Sequence, residues 1–226
     1  MGAVVLEAGV MFKDRIEAAH QLAQKLLHYR DKRALVMGIP RGAVPMAAII
    51  ARTLNADLDV VLVRKLGAPG QPELAIGAVD ESGWTYMSEV AEHLGMSPDQ
   101  IEAEKQVQLQ VITKRRAQYS PGHQRFDPAG RIVIVVDDGV ATGSTMSAAL
   151  HALRQHRPGR LICAVPVATP DTLRKMSALA DEVICLQSPA YLGSVGQFYE
   201  RFSQVEDDEV VSTLRSFSHK DTTEKK

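Results

Sequence analysis

The sequence predicts an α/β fold in three layers, a parallel sheet between helices. Three observations carry that expectation. Residues 132–136 are an unbroken apolar run of β-branched residues, the pattern of a strand buried on both faces. Strand-like and helix-like runs alternate through residues 131–186, which calls for crossover connections and parallel pairing. Asp137 and Asp138 follow the apolar run at once, and a Gly- and hydroxyl-rich turn then enters a helix. Open α/β sheets bind ligands at that end of a strand.

The bounds are broad. A chain of 226 residues can hold one sizeable core. A formal net charge of −1 and an aromatic content of 5% argue against nucleic-acid or anionic-membrane partners. No apolar stretch reaches the roughly 18 residues of a membrane-spanning helix. Cys163 and Cys185 lie inside apolar strand-like runs and read as small core residues. A reducing, cytoplasmic setting is expected.

In chain order, residues 1–10 are apolar, lack a basic start and are interrupted by Glu7. They read as a flexible extension before a single domain at 11–217, with 218–226 as a flexible polar tail. Asp14 with Glu17 resembles a capping box, and Ile16, Ala19, Leu22, Ala23, Leu26 and Leu27 mark one apolar helix face. Residues 34–37 form a strand, 38–43 a loop and 44–54 a helix with Pro45 in its first turn. Residues 59–63 form the next strand, with Arg64 and Lys65 at its carboxyl end, where a strand needs no charge. Residues 66–74, with two Gly and two Pro, read as a mobile loop able to close over a reaction. Glu73 in that loop is a candidate acid or base.

Residues 76–79 and 85–87 read as a hairpin or an edge extension. Ser97 and Gln100 frame a helix start with Pro98 at its first position. That helix runs to about Tyr119, its dipole complemented by Lys114, Arg115 and Arg116. Pro121-Gly122 and Asp127-Pro128 belong to the loop before the central strand. Helix 146–155, strand 161–167, helix 171–179 and strand 182–186 follow. Residues 187–217 concentrate Tyr191, Phe198, Tyr199 and Phe202 before a short terminal helix.

The chemistry of residues 137–145 follows from its parts. A helix N-terminus offers unpaired N–H groups and a positive dipole end to an anion. Gly143 permits close backbone approach, and Thr142, Ser144 and Thr145 add hydroxyl donors. Two ionised carboxylates repel phosphate but suit sugar hydroxyls or a metal. A sugar phosphate satisfies both halves.

The stretch VIVVDDGVATGST resembles the 5-phosphoribosyl-1-pyrophosphate (PRPP) signature of type I phosphoribosyltransferases: apolar strand, two adjacent acids, three residues, then Thr-Gly-x-Thr. The resemblance implies that family's core over about residues 34–186. It implies a small hood from residues 187–217, with the N-terminal segment as a further candidate part. Asp137 and Asp138 would hold the ribose hydroxyls. Ala141, Thr142, Gly143, Ser144 and Thr145 would hold the 5-phosphate. Pro40, Arg41 and Gly42 would form the pyrophosphate loop, with Arg64 and Lys65 as further pyrophosphate contacts. Mg²⁺ would be carried mainly by PRPP oxygens, with Asp137 as the candidate ligand from the protein. The implied reaction displaces pyrophosphate from PRPP by a nitrogenous, nucleobase-like acceptor, and a homodimer is expected.

One departure stands out. Hypoxanthine–guanine members carry an Asp just before the Thr-Gly, where this chain has Ala141, so its loop looks more like that of adenine or orotate members. The segments FKDR, GIPRGAV, RKLG with PELAIGAV, and VGQFYERFSQV look like a branch of predicted phosphoribosyltransferases. A non-catalytic PRPP sensor on the same fold is the alternative. The chain has no G-x-x-x-x-G-K-[ST] and no G-x-G-x-x-G.

Overall fold

Alternation along one strand organises the molecule. In the computed structural model, which describes residues 4–6, 11–88, 91, 93–119 and 126–218, the central strand β7 is Ile132–Val136. Val133 and Val135 point into one core and Ile134 and Val136 into another, all four fully buried. A strand with two apolar faces needs helices on both.

The remaining elements are β1 (Val4–Leu6), α1 (Arg15–Lys25), β2 (Leu35–Gly38), α2 (Ala43–Leu54), β3 (Asp57–Val60), β4 (Val63–Ala68), β5 (Gln71–Asp80) and β6 (Thr85–Met87). After them come α3 (Pro98–Tyr119), β7, α4 (Ser144–Gln155), β8 (Arg160–Val167), α5 (Pro170–Leu179), β9 (Glu182–Gln187) and α6 (Asp207–Ser218). The main sheet runs β1-β9-β8-β7-β2-β3 and is parallel throughout. Leu22, Met46, Ile50 and Leu54 of α1 and α2 cover one face; Met146, Leu150, Leu153, Leu173 and Met176 of α4 and α5 cover the other. The expected three-layer parallel fold is therefore the observed one.

The caps follow the expected chemistry. Asp14 accepts from the N–H groups of Ile16 and Glu17 at 3.1 Å each. Ser97 N–H donates to Gln100 Oε1 at 3.0 Å and Gln100 N–H returns the bond to Ser97 Oγ at 3.3 Å, a reciprocal capping box.

Four expectations need correction. Val4–Leu6, placed outside the domain by the sequence reading, pairs in parallel with β9 at the sheet edge. Residues 59–63 are not one strand: β2 offers only four residues for pairing, so β3 ends at Val60. The chain then turns into a second, antiparallel sheet ordered β4-β5-β6, which places Arg64 and Lys65 inside β4. The mobile loop expected at 66–74 is the β4–β5 hairpin, Val63 pairing with Asp80 and Ala68 with Gln71 around a Pro69-Gly70 tip. Arg116 is not simply a dipole-facing cation, because it pairs with the buried Asp59. The Pro121-Gly122 turn and residues 219–226 lie outside the described residues, as does the side chain of Glu73.

Arg116 ties α3 to the sheet. Its Nη1 donates to Asp59 Oδ1 at 2.8 Å, its Nε to Glu81 Oε2 at 2.8 Å and its Nη2 to the Val60 carbonyl at 3.0 Å. Asp59 is 2% exposed. Arg116→Met strands that charge in the core, so we expect a loss of about 3–5 kcal/mol. Urea unfolding followed by far-UV circular dichroism measures it; a loss under about 1 kcal/mol, the usual yield of a surface pair, would contradict the assignment.

Candidate functional site

Where β7 leaves the sheet, the chain brings its carboxylates together. Asp137 Oδ1 accepts from the Asp138 N–H at 2.9 Å. Asp138 Oδ2 accepts from Arg15 Nε and Nη2, both at 2.8 Å. Among the described residues nothing donates to Asp137 Oδ2 or to Asp138 Oδ1. Each acid is thus anchored by one oxygen and leaves the other without a partner, which is what a diol needs. Burial, with Asp138 beside it, pushes the Asp137 carboxyl well above the usual range. Burial also raises Asp138, and Arg15 opposes that rise.

The loop after the acids is pinned from behind. Val140 N–H donates to the Val167 carbonyl at 2.8 Å, and Thr172 Oγ1 to the Ala141 carbonyl at 2.9 Å. Gly143 precedes α4 with φ 85°, a conformation that favours glycine. The amides of Ala141, Thr142, Gly143, Ser144 and Thr145 donate to no other described residue. Thr142, Ser144 and Thr145 line a cleft of about 730 Å³. An N-terminal helix turn with free amides has the chemistry to hold an anion.

Pro40 lines the same cleft, and the Pro40–Arg41 peptide is cis. The Arg41 and Gly42 amides also donate to no described residue. The Arg41 guanidinium does not line the cleft. It pairs with Glu206 at 3.4 Å and lies 3.9 Å from Asp207, at the start of α6. Arg64 and Lys65 do line the cleft, from β4. Arg64 is oriented by α3: its Nε donates to Gln108 Oε1 at 3.0 Å, and Gln108 Nε2 donates to Glu104 Oε1 at 2.9 Å.

Two basic residues escaped the sequence reading. Arg15 reaches Asp138 from α1, and Arg115 of α3 lines the cleft beside Arg64. Each lies far along the chain from its neighbour at the site, so no local pattern announces them. The aromatic stretch packs with the N-terminus. Phe12 N–H donates to the Phe198 carbonyl at 2.8 Å, Glu200 N–H to the Phe12 carbonyl at 2.8 Å, and Tyr199 Oη to the Asp138 carbonyl at 2.6 Å. Tyr191 stands apart, 82% exposed.

These features define an α/β protein with a loop of unspent amides and paired carboxylates at the carboxyl edge of its parallel sheet. The chain belongs to the phosphoribosyl transferase domain family, whose model matches residues 11–200. It is 41% identical over 215 residues to putative phosphoribosyl transferases from two strains of Mycobacterium tuberculosis, CDC 1551 and H37Rv. The match covers 95% of this chain and 48% of each relative, so the chain spans about half their length. The crystal structure of TT1426 from Thermus thermophilus superposes with a TM-score of 0.83 at 40% identity, covering 92% of this chain and 99% of that one.

Proposed function

We propose that the chain binds PRPP and transfers its 5-phosphoribosyl group to a nitrogenous, nucleobase-like acceptor, releasing pyrophosphate. The observation that carries this reading is the set of unspent groups where β7 leaves the sheet: five loop amides, and one free oxygen on each of two adjacent carboxylates. Family membership supports it.

In this reading the amides and hydroxyls of residues 141–145 take the 5-phosphate. Asp137 Oδ2 and Asp138 Oδ1 accept the ribose hydroxyls. The Arg41 and Gly42 amides, with Arg64 and Lys65, take the pyrophosphate. The acceptor nitrogen bonds to the anomeric carbon as the bond to the pyrophosphate oxygen breaks, and the acceptor's displaced proton passes to water. Positive charge develops on the ribose ring in between, so the chain's work is positioning and charge stabilisation. Arg64, held by Gln108, is aimed in advance at the charge that the leaving group gains. The described residues contain no group of three or more His, Cys, Asp or Glu able to hold a metal. Asp137, whose Oδ2 meets no described donor, fits as the single protein ligand of a Mg²⁺ carried mainly on substrate oxygens, and that ion would help to neutralise the pyrophosphate. Glu73 stays a proposed acid or base.

The test is incubation with labelled PRPP and a panel of nucleobases while pyrophosphate is followed. Acceptor-dependent release is expected. Tight PRPP binding without release under any acceptor would instead make the domain a sensor.

A further inference from the structure

Asp138 is gripped from two sides by the segments that close over the sheet's edge. Arg15, the first residue of α1, donates twice to one oxygen, Oδ2. The usual bidentate fork would use both carboxylate oxygens; here Oδ1 is left free. The guanidinium has little room to swing. Its Nη1 donates to the Ser203 carbonyl at 2.6 Å, and it lies 3.7 Å from the centroid of Phe202. The side chains of Arg15 and Asp138 are only 13% and 16% exposed. Phe202 leans on Tyr199 at 4.9 Å, and the Tyr199 hydroxyl holds the Asp138 carbonyl. Even the helix start that presents Arg15 is fastened, Asp14 accepting from Arg201 Nη2 at 2.6 Å.

We propose that Arg15 is a positioning residue of the ribose site: it pins Asp138 through Oδ2 so that Oδ1 is presented to the pentose hydroxyls. The inference rests on the reading that the paired acids hold the pentose. A guanidinium that merely filled an empty diol site would face the cleft and would have to leave on binding. Arg15 is instead committed to Ser203 and Phe202 and meets Asp138 only at Oδ2, so a diol can reach Oδ1 without displacing it. Its role resembles that of the outer partners that orient metal-binding side chains.

The experiment compares the full chain with Arg15→Met and Arg15→Lys, titrating each with ribose 5-phosphate and, separately, with inorganic pyrophosphate. Arg15→Met is expected to weaken ribose 5-phosphate binding by about 10- to 100-fold, the usual cost of removing an orienting partner. Pyrophosphate has no diol to meet Oδ1 and should lose distinctly less, although Arg15 Nη2 would lie 3.1 Å from a Cβ at Gly42. Arg15→Lys, a single-point donor that keeps the charge, should recover part of the loss. If Arg15→Met does not fold, Arg15→Lys against the unaltered chain carries the same comparison. Equal losses for both ligands would reduce Arg15 to a structural role and overturn the proposal. Tighter ribose 5-phosphate binding would overturn it too, because Arg15 would then be a competitor. If the unaltered chain binds pyrophosphate but not ribose 5-phosphate, the ribose reading itself fails and takes this proposal with it. Ribose 5-phosphate binding that Arg15→Met leaves unchanged removes this proposal alone.

Discussion

Asp137→Asn combined with Asp138→Asn is expected to weaken PRPP binding by about two to four orders of magnitude. A hydrogen bond to an ionised group contributes about 1.5–3 kcal/mol, so two amount to about 3–6 kcal/mol, and each 1.4 kcal/mol is about tenfold. The measurement is a PRPP titration of the folded variant, with pyrophosphate binding as the control. Unchanged PRPP affinity would refute the diol role of the acids. Stability is better read from Asp137→Asn alone, because that change leaves the Arg15–Asp138 pair intact. The Asp137 carboxyl is raised in the folded chain by burial and by Asp138. A raised acid binds protons more tightly folded than unfolded. Its contribution is therefore fully present below the unfolded value, about 3.9, and is lost as pH rises through the folded value. An amide never ionises, so Asp137→Asn should raise the thermal midpoint at pH 7 and lose that advantage near pH 3. A site that is costly to keep charged is retained for what it binds.

How much of this was readable depended on distance along the chain. β7, the acids and the amide loop sit within residues 131–145, and each signal is local: an apolar run, a carboxylate pair, glycine and hydroxyls before a helix. The second carboxylate's partner was not readable, because Arg15 and Asp138 are 123 residues apart and meet only when α1 packs on the sheet. The β4–β5 hairpin was misread for a different reason. Pro and Gly usually signal a loop, but here Pro69-Gly70 make only the tip. Pro72 falls where β5 has β4 as its single neighbour, since β6 pairs only with residues 77–79, and a strand tolerates a missing N–H on an open side. Arg116 was misread because its neighbours Lys114 and Arg115 suggested a solvated helix end. Its partner Asp59 is buried in another element.

Gly42→Ala is expected to damage the ribose site from the pyrophosphate side. Gly42 has φ −57° and ψ −33°, which alanine adopts freely, so the backbone raises no objection. The obstacle is the added methyl. A Cβ at Gly42 would overlap Asp138 Oδ2, and would lie 3.0 Å from Asp138 Cγ and 3.1 Å from Arg15 Nη2. A free carboxylate would rotate away. This one cannot do so cheaply, since Arg15 holds Oδ2 and Tyr199 holds the carbonyl. Overpacking of this kind costs about 1–3 kcal/mol of stability. Ribose 5-phosphate affinity should fall by about tenfold or more, since a shift costing about 1.4 kcal/mol at the anchored acid already has that effect. Gly70→Ala is the matched control. At φ 74° it strains the hairpin tip by about 1 kcal/mol, but its Cβ meets nothing within 4 Å. If both variants lose stability and only Gly42→Ala loses ribose 5-phosphate, the loop at 40–42 and the acids at 137–138 act as one rigid cradle. If Gly42→Ala binds normally, the carboxylate is free to move, and the anchored geometry around Asp138 is not what the ligand uses.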